Sequence, residues 1–289
     1  MPKDEPTYEL IDFGDGRKLE RFGAWVLDRP APGENGPPSH PDLWKSATAQ
    51  YTGGRATEGT WKPAIKKWAE SSVDFPVKLA EDVDFRILLS PLPSGQIGVF
   101  PEQLGNWQWI AKQSIKTPAA KVLNLFGYTG GSTLAAAVAG AEVTHVDAAK
   151  SMVARARENA VLSGLSEAPI RWIVEDAVKF CQREVKRGNF YDAVILDPPS
   201  YGHGPKGENW SIKRDLLPLL SLCGELMAGH PKFVLLTCHT PGMGAAELSA
   251  YLSDGLFGHC GQPPECGRLN LKTSGDRKLV SGEFARWPG

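Results

Sequence analysis

Val122-Leu-Asn-Leu-Phe-Gly-Tyr-Thr-Gly-Gly-Ser132 is the stretch on which the fold turns. An apolar run over 122–126 leads into Gly127-Tyr-Thr-Gly-Gly131, where glycines let the backbone turn tightly and approach a ligand without a Cβ clash. The alanine-rich segment 132–140 then predicts a helix with its amino end at the loop. The next apolar strand ends at Asp147, about twenty residues after the glycines, the spacing at which an acid meets ribose hydroxyls in a dinucleotide fold. A later run, Ala193-Val-Ile-Leu, ends in Asp197-Pro-Pro-Ser200. This order predicts a nucleoside-containing cofactor on a parallel sheet, with a second acid beside it for the substrate. The loop is not Gly-x-Gly-x-x-Gly and no second fingerprint appears, so a nicotinamide reading is poor.

Outward from that stretch, strand and helix alternate. Strands are expected over 121–126, 142–147, 170–174, 191–197 and 232–238, with helices near 130–140, 149–162, 176–187, 211–227 and 243–254. Such alternation implies an α/β, Rossmann-like sheet covered on both faces. The tail breaks the rhythm, because 265–271 and 278–286 flank a Lys-Thr-Ser-Gly-Asp turn and predict an antiparallel β-hairpin. That ending is unusual for a dinucleotide fold and is the one expected of a class I methyltransferase.

Residues 1–98 differ. Short β-like runs at 8–13, 24–27, 77–79 and 85–89 alternate with Pro/Gly-rich turns, and 90–96 looks like the turn of a hairpin joining 85–89 to 97–100. We expect a small, mainly β accessory domain over 1–98, a candidate for RNA binding, and the main domain over 99–289. Trp25, Trp44, Trp61 and Trp68 are read as packing residues before base-stacking platforms.

The 289 residues carry a net charge of −1, so no global basic field points to nucleic acid, though phosphate contacts need only a local patch. Candidate patches are Lys112, Lys116 and Lys121; Arg183, Lys186 and Arg187; and Lys206, Lys213 and Arg214, each also readable as a solvated face. Five scattered cysteines suit reduced thiols, and with no long apolar run we expect a soluble, cytoplasmic protein without a membrane partner. His259, Cys260 and Cys266 fit no common zinc spacing, so no metal is expected.

These residues resemble the class I S-adenosylmethionine-dependent methyltransferases, and more narrowly the bacterial large-subunit ribosomal RNA methyltransferases of the RlmI and RlmK kind. The matching residues are Gly98-Val-Phe-Pro-Glu-Gln103 with Asn106, the loop 123–131, Val146-Asp147, Asn159, Asp176, Asp197-Pro-Pro199 and Thr237-Cys238. Two features depart from the family: Glu102-Gln103-Leu104 stands where an Asp-Gln-Arg triplet is common, and no amino-terminal PUA domain is recognisable. The resemblance implies S-adenosyl-L-methionine as cofactor and RNA, ribosomal RNA above all, as partner. It assigns Gly127, Thr129 and Gly131 to the methionine portion, Asp147 to both ribose hydroxyls and Asp176 to the adenine amino group. It also places Gln103, Asn124, Phe126 and Asp197 around the cofactor, with Phe126 and Tyr128 read first as packing. Asp176 is equally a helix N-cap, and the two roles are compatible.

Asp197 and Cys238 end strands expected to be neighbours, so both side chains are expected at one carboxyl edge near the transferable methyl. Carbon 5 of cytosine is a weak nucleophile, and methylating it requires a thiolate to add first at carbon 6. Cys238 is the candidate nucleophile, with Asp197 holding the ring nitrogen or amino group. A buried core thiol is the alternative. Methylation of an exocyclic amine needs no cysteine and commonly uses an aromatic directly after Asp-Pro-Pro. Here Pro198, Pro199, Ser200 and Tyr201 would meet the base, with Tyr201 one position late. His239 is either an aid to the thiol or a bystander on the opposite face.

Overall fold

A computed structural model describes residues 7–33, 36–53, 59–67, 73–204, 207–227, 230–258 and 261–289. Trp68, Lys206, His259 and Cys260 lie outside the described residues. The chain divides into two compact units. One comprises Met1–Val77, Arg86–Glu102 and Asn270–Ser281, the other Lys78–Phe85, Gln103–Leu269 and Gly282–Gly289.

In the first unit β1 (Tyr8–Gly14), β2 (Arg17–Phe22), β3 (Trp25–Pro30), β4 (Ala49–Tyr51) and β5 (Trp61–Lys62) form a sheet in chain order. Only β3 and β4 pair in parallel; the other neighbours are antiparallel. β6 (Val73–Ala80) and β7 (Val83–Leu89) pair with each other in a separate two-stranded sheet. That corrects the expected hairpin of 85–89 with 97–100. The turn is present, with Ser90 N–H donating to Ile97 C=O at 3.0 Å, but 97–100 forms no strand. A run of eight residues can bond the whole length of β7, whereas Gly98 and Pro101 interrupt the alternative partner. Trp25 and Trp61 are buried, and Trp44 gives its Nε1–H to Asp12 at 3.1 Å, so all three act in packing.

Asp12 organises this unit. A register shift between Leu10 and Asp12 turns the carboxylate inward. It accepts the Phe13, Ser39 and His40 N–H groups and Arg277 Nη1 at 2.8 Å, while Leu271 and Leu279 pack with Leu10, Phe13 and Ala31. Burial opposes the Asp12 charge, yet these donors hold its carboxyl below the usual range. A depressed folded pKa means that the contribution is present above the unfolded value of about 3.9 and is lost as pH falls through the folded one. Asp12→Asn is expected to cost about 1–2 kcal/mol at pH 7, the difference between charged and neutral acceptors. Urea unfolding should show that difference shrinking towards pH 3.

In the second unit come α1 (Leu104–Lys116), β8 (Lys121–Leu125), α2 (Gly131–Val138), β9 (Glu142–Asp147), α3 (Lys150–Leu162), β10 (Ile170–Val174), α4 (Ala177–Arg187) and β11 (Ala193–Leu196). β12 (Tyr201–His203), β13 (Asn209–Ser211), α5 (Ile212–Leu226), β14 (Phe233–Cys238), α6 (Ala245–Tyr251), β15 (Glu265–Lys272) and β16 (Lys278–Trp287) follow, the stretch Asn270–Ser281 of the last two belonging to the first unit. The sheet order is β10-β9-β8-β11-β14-β16-β15, parallel through β14 and antiparallel at β16. The order reverses beside β8, so the carboxyl ends of β8 and β11 flank a crevice. Leu123, Leu125, Val194, Leu196, Val234 and Leu236 share one face with Phe180 of α4 and Leu216, Leu219 and Leu220 of α5. The other face meets α1, where Trp109 packs edge-on against Phe233.

Two elements of this unit were not foreseen, and neither were β2, β4 and β5 of the first. α1 combines an exposed Leu104 and Ile115 with buried Asn106, Gln113 and Ser114, which blurs its apolar stripe. The β12–β13 hairpin is only three residues a side, too short to show a period.

Candidate active site

The glycine loop is shaped by backbone conformation and by two rings beneath it. Phe126, Tyr128 and Gly130 have φ of 57°, 48° and 94°, a series of left-handed turns between β8 and α2. Gly127 lies flat on His145 of β9, and a Cβ there would come within 2.5 Å of Nδ1 and 3.0 Å of Nε2. Gly131 lies on Trp107, where a Cβ would meet Cζ2 at 2.6 Å. Both rings are buried, so neither can swing aside cheaply. Asn159 of α3 gives its amide to Thr129 C=O at 2.9 Å and holds the loop from above α2.

Asn124 is turned inward. Its Nδ2 donates to Thr133 Oγ1 at 2.8 Å, and Thr133 Oγ1 lies 2.9 Å from His145 Nδ1. Thr133 Oγ1, with one hydrogen and two lone pairs, links the Asn124 amide to the His145 ring. Burial first, and the Arg157 charge second, push His145 down to about 3, so the ring stays neutral. Phe126 packs on the core, 4.9 Å from the Trp210 ring, and Trp210 Nε1 donates to Pro199 C=O at 2.7 Å. Trp210 thereby ties the glycine loop to the Asp-Pro-Pro turn.

Gly127→Ala is expected to cost about 1–3 kcal/mol of stability by overpacking, with the loop displaced and cofactor affinity reduced. His145→Ala should recover much of that loss in the double variant, a coupling readable in a thermal double-mutant cycle.

Asp147 ends β9 half-buried. One oxygen accepts Tyr128 N–H at 2.8 Å and the other Ala149 N–H at 2.8 Å. Each oxygen retains a lone pair for a hydroxyl. Burial raises the carboxyl's pKa above its ordinary value despite those two N–H groups. An acid short of donors at this position fits the ribose of S-adenosylmethionine. Asp176 caps α4, its Oδ1 accepting Lys179 N–H at 2.9 Å.

Asp197 follows β11 and is the most heavily coordinated acid of this edge. Gln103 Nε2 donates to Oδ2 at 3.2 Å, Thr237 Oγ1 donates to Oδ1 at 2.5 Å, and His239 Nε2 stands 3.4 Å from Oδ1. Desolvation works against the charge, but His239, Thr237 and Gln103 hold the carboxyl below the usual range. Pro198 is buried and Pro199 exposed, Ser200 Oγ lies 2.7 Å from Thr240 Oγ1, and the Tyr201 ring is 77% exposed.

The parallel register sets Leu196 opposite Leu236. Asp197 therefore meets Thr237, and Cys238, one residue on, takes the opposite face. Its thiol is 1% exposed among the core residues, accepts Thr240 N–H at 3.3 Å and lies 3.9 Å from Met243 Sδ. Burial pushes the thiol's pKa up. Sequence reasoning brought Asp197 and Cys238 together and passed over the Thr237 hydroxyl, although the two-residue period carries that signal.

The basic patches are partly neutralised: Arg183 pairs with Glu175 at 2.6 Å, Arg187 with Glu184 at 2.8 Å and Arg214 with Asp215 at 2.7 Å. Among the described residues no group of His, Cys, Asp and Glu could hold a metal ion, and no helix is long and apolar enough to cross a membrane.

Residues 80–248 match the family described as S-adenosylmethionine-dependent methyltransferase. The chain is 32% identical over 169 residues to Ribosomal RNA large subunit methyltransferase I of Aeromonas salmonicida, a segment that is 58% of this chain and 41% of that protein. It is 33% identical over 126 residues to Ribosomal RNA large subunit methyltransferase K/L of Shewanella frigidimarina, covering 40% of this chain and 17% of that one. The chain thus spans less than half the length of these relatives. The crystal structure of the SAM Dependent Methyltransferase from Agrobacterium tumefaciens aligns with a TM-score of 0.83 at 36% identity, over 97% of this chain and 89% of that one. With a glycine loop, a ribose-spaced acid and an Asp-Pro-Pro turn on one edge, and a match across more than half its length, the chain belongs to the S-adenosylmethionine-dependent methyltransferase family.

Proposed function

We propose that the protein methylates a nucleobase of RNA in the cytoplasm, ribosomal RNA in the first place, with carbon 5 of cytosine as the acceptor. The observation that carries the nucleobase reading is the Asp197 carboxylate, held as an acceptor at the end of β11, one residue away in register from the cysteine that ends β14. The ribosomal target is supported by the names of the Aeromonas and Shewanella relatives.

When bound, S-adenosylmethionine supplies an electrophilic methyl group. Gly127, Thr129 and Gly131 would hold its methionine part, Asp147 its ribose and Asp176 its adenine. Asp197 would accept a hydrogen bond from the base's amino group and fix the ring against the methyl donor. Cys238 would add as thiolate to carbon 6, making carbon 5 nucleophilic. After transfer a base removes the carbon 5 proton and the thiolate leaves. The inward thiol, which accepts Thr240 N–H, must first leave that bond and turn towards the crevice.

A second reading is favoured by the exposed Tyr201 and the inward Cys238: methylation of an amine, with Asp197 orienting the nitrogen and Tyr201 stacking on the base. The first unit is proposed to hold RNA. Radiolabelled S-adenosylmethionine with large-subunit RNA from cells lacking the protein tests the function, and nucleoside mass spectrometry reads the product. We expect 5-methylcytidine. A methylated amine selects the second reading, and no RNA labelling rejects both.

A further inference from the structure

Resting on the reading of Asp197 as the carboxylate that faces the acceptor base, we propose that Gln103 and Asn106 are positioning residues that fix Asp197 as a hydrogen-bond acceptor, rather than contacts to the cofactor. Gln103 precedes α1 and Asn106 lies in its first turn, three positions later, so their side chains share a face. Asn106 Nδ2 donates to Gln103 Oε1 at 2.8 Å, and Gln103 Nε2 donates to Asp197 Oδ2 at 3.2 Å. Both amides are buried.

A glutamine amide has two near-isosteric orientations, and only one suits a carboxylate. Turned the other way, Gln103 would set its carbonyl against Oδ2 and leave two buried N–H groups of Gln103 and Asn106 facing each other. With Asn106 Nδ2 donating to Oε1, the orientation that turns Gln103 Nε2 to Asp197 is favoured. Thr237 settles the other oxygen, because its hydroxyl donates to Oδ1. Asp197 thus has a donor on each oxygen, Gln103 on Oδ2 and Thr237 on Oδ1. The ionisable groups beside it are His239, at 3.4 Å, and Cys238, whose thiol the Asp197 charge disfavours ionising. An incoming group must therefore present N–H to Asp197, which selects bases with an amino or imino edge over bare carbonyls.

Gln103→Glu keeps the shape and the Asn106 bond but sets two carboxyls against each other, so the pair must share a proton. Gln103→Leu removes the donor, and Asn106→Leu frees the Gln103 amide to turn. Three measurements separate positioning from structure: carboxyl carbon NMR titration of Asp197, assigned through Asp197→Asn; calorimetry with S-adenosylhomocysteine; and single-turnover methylation of unmodified large-subunit RNA. We expect Asp197 to titrate below about 3.9 in the wild type, to move up by roughly one unit or more in Gln103→Glu, and to move up less in the leucine variants. Affinity for S-adenosylhomocysteine should stay within about threefold, while the Gln103→Leu rate falls by roughly tenfold or more, the scale of one lost charge-assisted bond.

The ratio of Gln103→Glu to wild-type rate should fall as pH rises and the shared proton is lost. Loss of affinity of tenfold or more with an unmoved Asp197 titration would overturn the proposal and make Gln103 a cofactor contact. An Asp197 titration unmoved in the folded Asn106→Leu and Gln103→Glu proteins would overturn it as well. If the titration moves as expected but the wild type labels no RNA, the RNA reading fails and the positioning role stands.

Discussion

Cys238→Ala is expected to stop RNA methylation, by ~10³-fold or more, while affinity for S-adenosylhomocysteine changes by less than about twofold. The selectivity of the effect follows from geometry. The thiol lies on the α5 face of the sheet and bonds Thr240 and Met243, so its loss leaves the Asp147 bonds to Tyr128 and Ala149 intact. Its chemistry is irreplaceable for carbon 5, because alanine cannot add at carbon 6. Wild-type protein should form a covalent complex, visible on denaturing gels, with RNA containing 5-fluorocytidine, whose fluorine cannot leave as a proton does. The rate should rise with pH. Burial raises the Cys238 thiol above its ordinary value near 8.5, so the thiolate fraction still grows through that value unless substrate binding brings the thiol down. Near-normal turnover in Cys238→Ala, with no trapped complex, would end the carbon 5 reading and move the acceptor to a nitrogen set between Asp197 and Tyr201.

Asp147→Ala is expected to weaken S-adenosylmethionine binding by roughly 2–4 kcal/mol, about 30- to 1000-fold, since two hydroxyl bonds to a charged acceptor are lost and water restores part of them. The carboxylate is desolvated and, among the described residues, accepts Tyr128 and Ala149 N–H, so bound hydroxyls relieve a charge that burial disfavours. Binding should therefore lower the Asp147 pKa. Linkage gives the sign: affinity is full above the raised Asp147 pKa and falls as acid protonates the group. Isothermal titration from about pH 7 down to 4.5 should show that fall in the wild type and not in Asp147→Ala. Equal affinity of the two proteins at pH 7 would remove the ribose from Asp147.

Strands β8, β9, β10 and β14 and the carboxy-terminal hairpin were legible within a residue or two, because short β-forming runs bounded by turn residues leave little choice of element. The place of Asp147 at the carboxyl end of β9 was equally plain. The β7 partner was misread because both candidates are β-formers. Only the length of unbroken backbone available to bond decides between them, and that lies beyond a local window. Asn124 illustrates the limit at the site. Its place at the head of the loop suggested the cofactor, yet alternation along β8 sends the side chain to Thr133.

From the sequence alone came the cofactor-binding edge: the loop, the acid spacing and Asp-Pro-Pro are local patterns whose physics needs few partners. Tertiary structure decided what each acid and thiol faces. Register between β11 and β14 gave Asp197 the Thr237 hydroxyl and sent Cys238 to the core, since a step of one residue along a strand reverses the face. Packing of α1 brought Gln103 across 94 positions to Asp197. Such contacts depend on how separate elements align in space, which no single segment of the chain encodes by itself.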